Sequence, residues 1–260
     1  MSGAWPPPRA VLLDLGYTLV RWEVPDAVRL ASHGAILARL AHARPGAEPP
    51  TDLLLRLERQ VLAAARAAYE ADSLTELDNH ALYAAALLEH GYTLGEEQVR
   101  KLVALEHAAF AQHLRVAPET RATLETLRAR RLRLGLVSNA LTPGALMRRT
   151  LDALGLVSCL DAVAISSEVG VRKPHPAIYE GVLLALDVRP EEAVFVGDRV
   201  SEDVIGPQSV GMRAILSHEY RQEPPDGARP DAILGSFAEL PAALDQLQAA
   251  PHRPDAELPA

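Results

Sequence analysis

Short apolar runs that alternate with helical segments constrain the fold of this 260-residue chain more than any other feature. The first run, at 10–14 (AVLLD), has the pattern of a buried strand, and it ends in an acid two residues before Gly16. Later runs with the same pattern occupy 132–138, 160–166, 193–198 and 212–217, with 231–236 as a sixth candidate. Helical patterns separate these runs, and such alternation predicts an α/β fold with a doubly wound parallel sheet.

The interval 22–112 has a different composition from the rest of the chain. It is rich in Ala, Leu, Arg and Glu at helical spacing, and it contains no convincing strand pattern. Breaks at 45–50 (PGAEPP) and 91–95 predict four or five helices. We interpret the interval as an inserted helical domain, although its helices could instead pack as one face of the core. The predicted division is a core of 1–21 and 113–249, a helical insert of 22–112, and a loose tail of 250–260 that contains three prolines.

Charge and composition exclude several classes of protein. The formal net charge is −8, so the chain has no global positive field to attract nucleic acid or an anionic membrane surface. No run reaches the ~18–20 apolar residues that span a bilayer. The single cysteine, Cys159, cannot form an internal disulfide, and the N-terminal residues lack the apolar stretch of a secretory signal. These features predict a cytoplasmic protein and leave its oligomeric state open.

Polar residues follow four of the predicted strands. Asp14 ends the first strand, Ser138 ends the second, Lys173 lies in the loop after the third (GVRKPHP), and Asp198 ends the fourth. In a doubly wound sheet, ligands bind beyond the carboxyl ends of the strands, near the point where the strand order reverses. Asp14, Ser138 and Asp198 alone are each typical of a turn or a helix cap, and Lys173 alone is typical of a solvated surface residue. Their joint order instead predicts a site for an anion and a metal ion.

Four segments in this order resemble the motifs of the haloacid dehalogenase superfamily of hydrolases: VLLDLGYTL, LGLVSNA, GVRKP and VFVGDRVSED. The resemblance covers most of the chain outside 22–112, and that interval lies where the family inserts a helical cap after its first motif. It therefore implies a Rossmann-like core with an all-helical cap. Lys173 supports the resemblance independently, because Lys101 is the only other lysine in a chain that otherwise uses arginine.

The resemblance implies a phosphohydrolase that acts on a small phosphorylated metabolite. Asp14 is the implied nucleophile, which attacks phosphorus and forms an aspartyl-phosphate that water then hydrolyses. Ser138 and Asn139 are implied to donate hydrogen bonds to the phosphoryl oxygens. Lys173 is implied to offset the charge of the nucleophile and of the phosphate.

The resemblance also implies a bound Mg²⁺. The implied ligands are Asp14, the backbone carbonyl of Gly16 and Asp198, and Asp203 would order the coordination shell directly or through water. Without a cation these three carboxylates would repel one another and would repel phosphate. A magnesium cofactor is therefore expected together with the phosphatase chemistry.

Gly16 departs from the pattern of the family's phosphatases. Those enzymes usually carry a second aspartate two residues after the nucleophile, and it protonates the leaving alcohol and then activates water. Losing a positioned acid costs about 10²–10⁴ in rate, so alkyl phosphates should suffer most. Four residues could substitute for the missing acid, and the sequence selects none of them: Tyr17, His33, His80 and His175.

Other functions remain open at this stage. A 2-haloacid dehalogenase would tolerate Gly16, but Asp198 and Asp203 would oppose the binding of a carboxylate substrate. A phosphonatase needs a lysine in the cap, and Lys101 lies near the far end of the cap. A non-catalytic protein that binds a phosphorylated metabolite or a partner is the third alternative, and Gly16 is its direct support.

Overall fold

The computed structural model describes residues 5–43, 46, 48–71 and 73–249 and contains a six-stranded parallel sheet. Its strands are β1 (Ala10–Leu13), β2 (Arg133–Ser138), β3 (Ala162–Ile165), β4 (Ala193–Gly197), β5 (Arg213–Ser217) and β6 (Ala232–Leu234). They lie in the order β3-β2-β1-β4-β5-β6. The predicted α/β class is confirmed, and the sixth candidate run is a strand. β1 pairs with β2 on one side and β4 on the other, so the strand order reverses at β1.

Helices cover both faces of this sheet. Those outside the insert are α6 (Pro118–Ala129), α7 (Gly144–Ala153), α8 (Ser166–Val169), α9 (Pro176–Ala185), α10 (Gly206–Ser209) and α11 (Leu240–Ala249). Side chains of a strand point alternately to opposite faces. In β1, Val11 and Leu13 therefore pack in the cluster that contains residues of α6, α7 and α11, while Leu12 packs with residues of α9. Both faces of β1 are fully buried, as its unbroken apolar run predicts.

The insert consists of five helices with a hydrophobic core of their own. They are α1 (Asp26–Ser32), α2 (Gly34–Ala43), α3 (Leu53–Glu70), α4 (Asn79–Glu89) and α5 (Glu96–Ala111). Leu40, Leu57, Leu87 and Val99 are among the residues that form its core. Within the described part of 22–112 no strand forms. The all-helical cap is confirmed, the domain boundaries stay predictions, and the predicted tail at 250–260 lies outside the described residues.

The cap contacts the core next to the lysine loop. The segment between α3 and α4 forms an isolated bridge from Thr75 to Val171, flanked by hydrogen bonds of 2.9 Å from the Arg172 N–H to the Leu74 carbonyl and from the Glu76 N–H to the Gly170 carbonyl. These contacts hold the cap over the carboxyl ends of the strands. Among the helices that the structure describes, none is long and apolar enough to cross a membrane.

Candidate active site

The reversal of strand order at β1 brings three of the predicted site residues together. Asp14 follows β1, Ser138 ends β2 and Asp198 follows β4, and these strands are neighbours in the sheet. The Asp14 N–H donates to the Val196 carbonyl over 2.9 Å, which fixes the backbone where β1 ends. All three side chains are at least nine-tenths buried. Parallel strands that end at one edge therefore place two carboxylates and a hydroxyl at the switch point.

Three carboxylates and one lysine form the centre of the site. Oxygens of Asp14, Asp198 and Asp203 all lie within 4.8 Å of one another. Lys173 Nζ donates to Asp14 Oδ1 over 2.8 Å and to Asp203 Oδ1 over 2.6 Å. The lysine side chain is 1% exposed, so water does not screen these ion pairs. Lys173 thus pairs with two of the three buried carboxylates, Asp14 and Asp203.

Burial and mutual repulsion change the pKa values in this cluster. Burial raises the pKa of Asp14 to about 6 although Lys173 opposes the shift, and burial with the charges of Asp14 and Asp203 raises the pKa of Asp198 to about 7. The neighbouring carboxylates outweigh burial at Lys173 and raise its pKa, so it stays charged. The cluster has an excess of negative charge that a divalent cation would neutralise.

Asp198 contributes a buried carboxylate to this centre. Its Oδ2 is buried without a hydrogen-bond partner, although Arg221 Nη1 lies 2.7 Å away as an ion pair. Hard cations such as Mg²⁺ take carboxylate oxygens as ligands. The donor set of Asp14, Asp198 and Asp203 therefore fits the predicted metal.

The side chain of Asn139 holds the lysine loop. Its Oδ1 accepts from the Lys173 N–H over 2.7 Å, and its Nδ2 donates to the Lys173 carbonyl over 3.0 Å. The family resemblance implies that Asn139 donates to phosphate, but in the structure its side-chain amide binds the backbone of Lys173. Asn139 therefore positions the lysine, and its own backbone remains beside Ser138 at the cavity wall.

Asp203 is fixed by the backbone that follows β4. A π-helix at Val200–Ile205 carries it, and Asp203 Oδ2 accepts from the Arg199 N–H over 2.9 Å. A Cβ on Gly197 would lie 2.3 Å from Asp203 Cγ, so this close approach requires glycine. Because one Asp203 oxygen binds Lys173 and the other binds backbone, the carboxylate is best placed to order the site through its neighbours.

A larger residue would fit at position 16, both in the space around the Cβ position and in the backbone conformation. The nearest atom to a Cβ built on Gly16 is Trp22 Cβ at 3.8 Å, an ordinary contact, and its φ lies outside the left-handed region. The next residue, Tyr17, has a φ of 60°. Of the four residues that could replace the missing acid, Tyr17 alone lines the cavity above Asp14, and its hydroxyl donates to the Trp22 carbonyl over 3.3 Å.

The cavity above Asp14 has a volume of about 590 Å³ and extends into the cap. Most of its polar lining was not predicted from the sequence, because the cap residues and Arg221 lie outside the family motifs and the motif residues Arg172 and Glu202 have no role that the resemblance implies. From the core they are Arg172, Glu202 and Arg221, and from the cap they are Arg29, Glu58, Asn79, Tyr83, Glu106 and His107. Arg221 also lies over the Tyr17 ring, 4.2 Å from its centroid. No spacing in the sequence links these positions.

Comparisons with known proteins agree with the motifs. A family model of haloacid dehalogenase-like hydrolases matches residues 8–211. The chain is 39% identical over 124 residues to a phosphoserine phosphatase from Thermus thermophilus, a match that covers 47% of this chain and 49% of that protein. The chain thus spans about half the length of the curated relatives it matches.

Solved structures support the fold. A 2-haloacid dehalogenase from Pseudomonas syringae superimposes with a TM-score of 0.64 and 23% identity, over 92% of this chain and 99% of that one. A HAD phosphatase from Thermococcus onnurineus gives 0.60 and 24% identity, over 91% and 97%. Since one neighbour is a dehalogenase and the other a phosphatase, the fold does not choose between the two chemistries.

Proposed function

This chain belongs to the haloacid dehalogenase-like hydrolases, and from that premise we propose that it is a Mg²⁺-dependent phosphatase of a small phosphorylated metabolite. The observation that carries the proposal is the buried cluster of Asp14, Asp198 and Asp203 around Lys173. A dehalogenase must bind a carboxylate substrate, and a third buried carboxylate beside the nucleophile opposes that binding. The phosphatase names among the relatives support the same choice.

Asp14 is the proposed nucleophile. Its carboxylate oxygen attacks phosphorus, the bond from phosphorus to the leaving oxygen breaks, and an aspartyl-phosphate forms. Water then attacks the phosphorus of this intermediate and releases phosphate, which restores the carboxylate. Lys173, which donates to Asp14, holds the nucleophile ionised and offsets the charge that accumulates on the phosphoryl oxygens.

Ser138 and Asn139 form the proposed phosphoryl-binding wall. The Ser138 hydroxyl and the backbone N–H of Asn139 are the groups we assign to the phosphoryl oxygens, because the Asn139 side chain is bound to Lys173. Asp14, Asp198 and the Gly16 carbonyl would hold Mg²⁺, which when bound neutralises the carboxylates and polarises the phosphoryl group. Asp203 orients Lys173 beside this site.

Gly16 defines which phosphates the site can process. With no carboxyl at this position, the departing oxygen has no acid of the usual kind to protonate it. Good leaving groups such as aryl or acyl phosphates depart unaided, whereas alkyl phosphates depend on the missing proton. We therefore propose that the protein works best on phosphates with an easily expelled leaving group.

Turnover of p-nitrophenyl phosphate tests the proposal. The unaltered protein should hydrolyse it with Mg²⁺ and stop when a chelator removes the metal. Asp14→Asn should lower the rate by more than about 10³-fold, as loss of a nucleophile does, while its circular dichroism spectrum stays unchanged. Asp152→Asn is the matched control, because Asp152 is an exposed aspartate of α7 and should leave the rate unaltered.

Two results would contradict the proposal. Hydrolysis that survives complete metal removal and Asp198→Asn would remove the metal mechanism, and release of halide from a 2-haloacid under those conditions would establish the dehalogenase alternative. Full activity of Asp14→Asn would remove the nucleophile assignment.

A further inference from the structure

A second polar cluster lines the cap end of the cavity, away from the carboxyl ends of the strands. Arg29 of α1 forms an ion pair with Glu58 of α3 and donates to Glu106 Oε1 of α5 over 3.0 Å. The Tyr83 hydroxyl of α4 lies 3.5 Å from Glu106 Oε2. Four cap helices therefore direct polar groups into one pocket, which the proposed chemistry at Asp14 does not use.

Two atoms of this cluster have no hydrogen-bond partner. Arg29 Nε is a donor and Asn79 Oδ1 is an acceptor, and each is buried and unpartnered. Both residues line the cavity and are only 8% and 9% exposed. Buried polar atoms are nearly always hydrogen-bonded in folded proteins, and one left unpaired is costly. Because Arg29 and Asn79 both line the cavity, a ligand that reaches their side chains could satisfy the two atoms after a small shift opens them.

The chemistry of these two atoms separates the possible ligands. A hydroxyl donates and accepts, so it can satisfy both the Arg29 donor and the Asn79 acceptor. An ammonium group donates but leaves Arg29 Nε unpaired. A carboxylate accepts from Arg29, but it meets Glu58 and Glu106, whose mutual repulsion and burial already raise the pKa of Glu106 to about 7. A neutral group with several hydroxyls is the best match.

We propose that Arg29, Asn79 and Glu106 form a subsite for the hydroxyl groups of a polyol phosphate. The inference rests on the proposed function for the phosphate end and adds the class of the organic part. The cavity of about 590 Å³ accommodates such a molecule between the two ends. Aromatic rings of Trp22 and Phe110 also line it, and carbon faces of a polyol pack on such surfaces.

Competitive inhibition of p-nitrophenyl phosphate hydrolysis measures how tightly a probe binds. The result does not depend on hydrolysis of the probe, so the missing acid at Gly16 does not affect it. Four three-carbon probes differ only in the group they present to the cap: glycerol 1-phosphate, propyl phosphate, 3-aminopropyl phosphate and 2-carboxyethyl phosphate. Glycerol 1-phosphate should bind about tenfold more tightly than propyl phosphate, the effect of one or two net hydrogen bonds, and more tightly than the amine or the carboxylate. Asn79→Leu should remove that tenfold preference.

His80→Leu is the matched control, because His80 is the next residue of α4 and does not line the cavity. It should keep the tenfold preference. The ranking of the four probes in the unaltered protein tests the proposal even where Asn79→Leu does not fold. Equal binding of propyl phosphate, or tighter binding of the amine or carboxylate, overturns the subsite. Absence of p-nitrophenyl phosphate hydrolysis overturns the proposed function instead, and calorimetric titration of the same probes then still ranks them.

Discussion

The carboxylate–lysine cluster in the core and the polar cluster in the cap both place one cation between two carboxylates, but they differ in their access to water. In the core, Lys173 is 1% exposed and binds Asp14 and Asp203, whose side chains are 10% and 0% exposed. In the cap, Arg29 binds Glu106 and Glu58, and the Glu58 side chain is 22% exposed. The core lysine is closed to water, whereas Glu58 of the cap is more exposed than either carboxylate that pairs with Lys173.

This difference indicates separate roles for the core cluster and the cap cluster. A sealed lysine between two fixed carboxylates presents a constant charge to the reacting group, which electrostatic catalysis requires. The cap cluster contacts water at Glu58, and a hydrated polar group of this kind can exchange water for ligand groups. We therefore expect chemistry at the core cluster and ligand recognition at the cap cluster.

Removal of the two cations should have unequal effects on stability. Lys173→Met leaves two buried carboxylates without a counter-charge and should cost about 3–5 kcal/mol in the free energy of unfolding. Arg29→Met should cost less, because Glu58 contacts water whereas Asp203 of the core cluster is fully buried. Urea denaturation at pH 6 measures both losses.

Lys101→Met is the matched control for the core variant. Lys101 is the other lysine of the chain, its side chain is 64% exposed, and its ion pair with Glu97 lies on the surface of α5. Its loss should change stability by less than about 0.5 kcal/mol. An equal cost for Lys173→Met and Arg29→Met would erase the distinction between a sealed and a hydrated cluster.

The core cluster could be predicted from the sequence because strand ends locate it. A strand that is buried on both faces is a continuous apolar run, so the residue after each run is identifiable, and a parallel sheet gathers these residues at one edge. The positions of Asp14, Ser138 and Asp198 followed from this rule. The two hydrogen bonds from the Asn139 side chain to the Lys173 backbone could not be predicted in this way, because a side-chain amide that binds the backbone of a distant loop leaves no periodic signal in the sequence.

The cap cluster could not be predicted in the same way. Arg29, Glu58 and Glu106 lie on three different helices, and tertiary packing alone decides which helix faces meet. Charged residues on amphipathic helices are normally solvent-facing, so the sequence pattern gives a surface interpretation for each of them. Only the structure identifies Arg29 and Glu106 as buried and Glu58 as partly buried.

The cap cluster should make stability depend on pH through Glu106. Repulsion from Glu58 and burial raise its pKa from 4.5 to about 7 in the folded protein, against the attraction of Arg29 and the hydrogen bond from Tyr83. The folded state therefore retains a proton that the unfolded state has lost, and stability falls as the pH rises from about 4.5 to about 7. Glu106→Gln should remove a fall of about 3 kcal/mol.

Urea denaturation from pH 4.5 to pH 8 measures that fall as the difference in unfolding free energy between the unaltered protein and Glu106→Gln. Both proteins contain the core carboxylates, so the contribution of those groups to the pH dependence cancels in the difference. Glu97→Gln is the matched control, because Glu97 lies on the same helix with its side chain 80% exposed, and it should leave the slope in this window unchanged. Parallel pH profiles for the unaltered protein and Glu106→Gln would show that the cap cluster does not retain the proton.

The smallest expected effect concerns Gly16, where the core lacks an acid and the cap contains one. Gly16→Asp should place a carboxyl beside the leaving group, since a Cβ there meets only Trp22 Cβ at 3.8 Å and the backbone is not left-handed. Rates on alkyl phosphates should rise by up to about 10²-fold, or about 2.7 kcal/mol, with a much smaller gain on aryl phosphates.

The slope of log rate against leaving-group pKa tests whether the departing oxygen lacks an acid in the unaltered protein. It should be steep and negative in the unaltered protein and shallower in Gly16→Asp, because protonation removes the dependence on how stable the departing anion is. Gly16→Asn is the matched control, because it adds the same volume without an acid and should keep the steep slope. A shallow slope in the unaltered protein would mean that another residue already supplies the proton. Glu106, which lines the same cavity with a pKa of about 7, would then have a catalytic duty, and the division between chemistry in the core and recognition in the cap would fail.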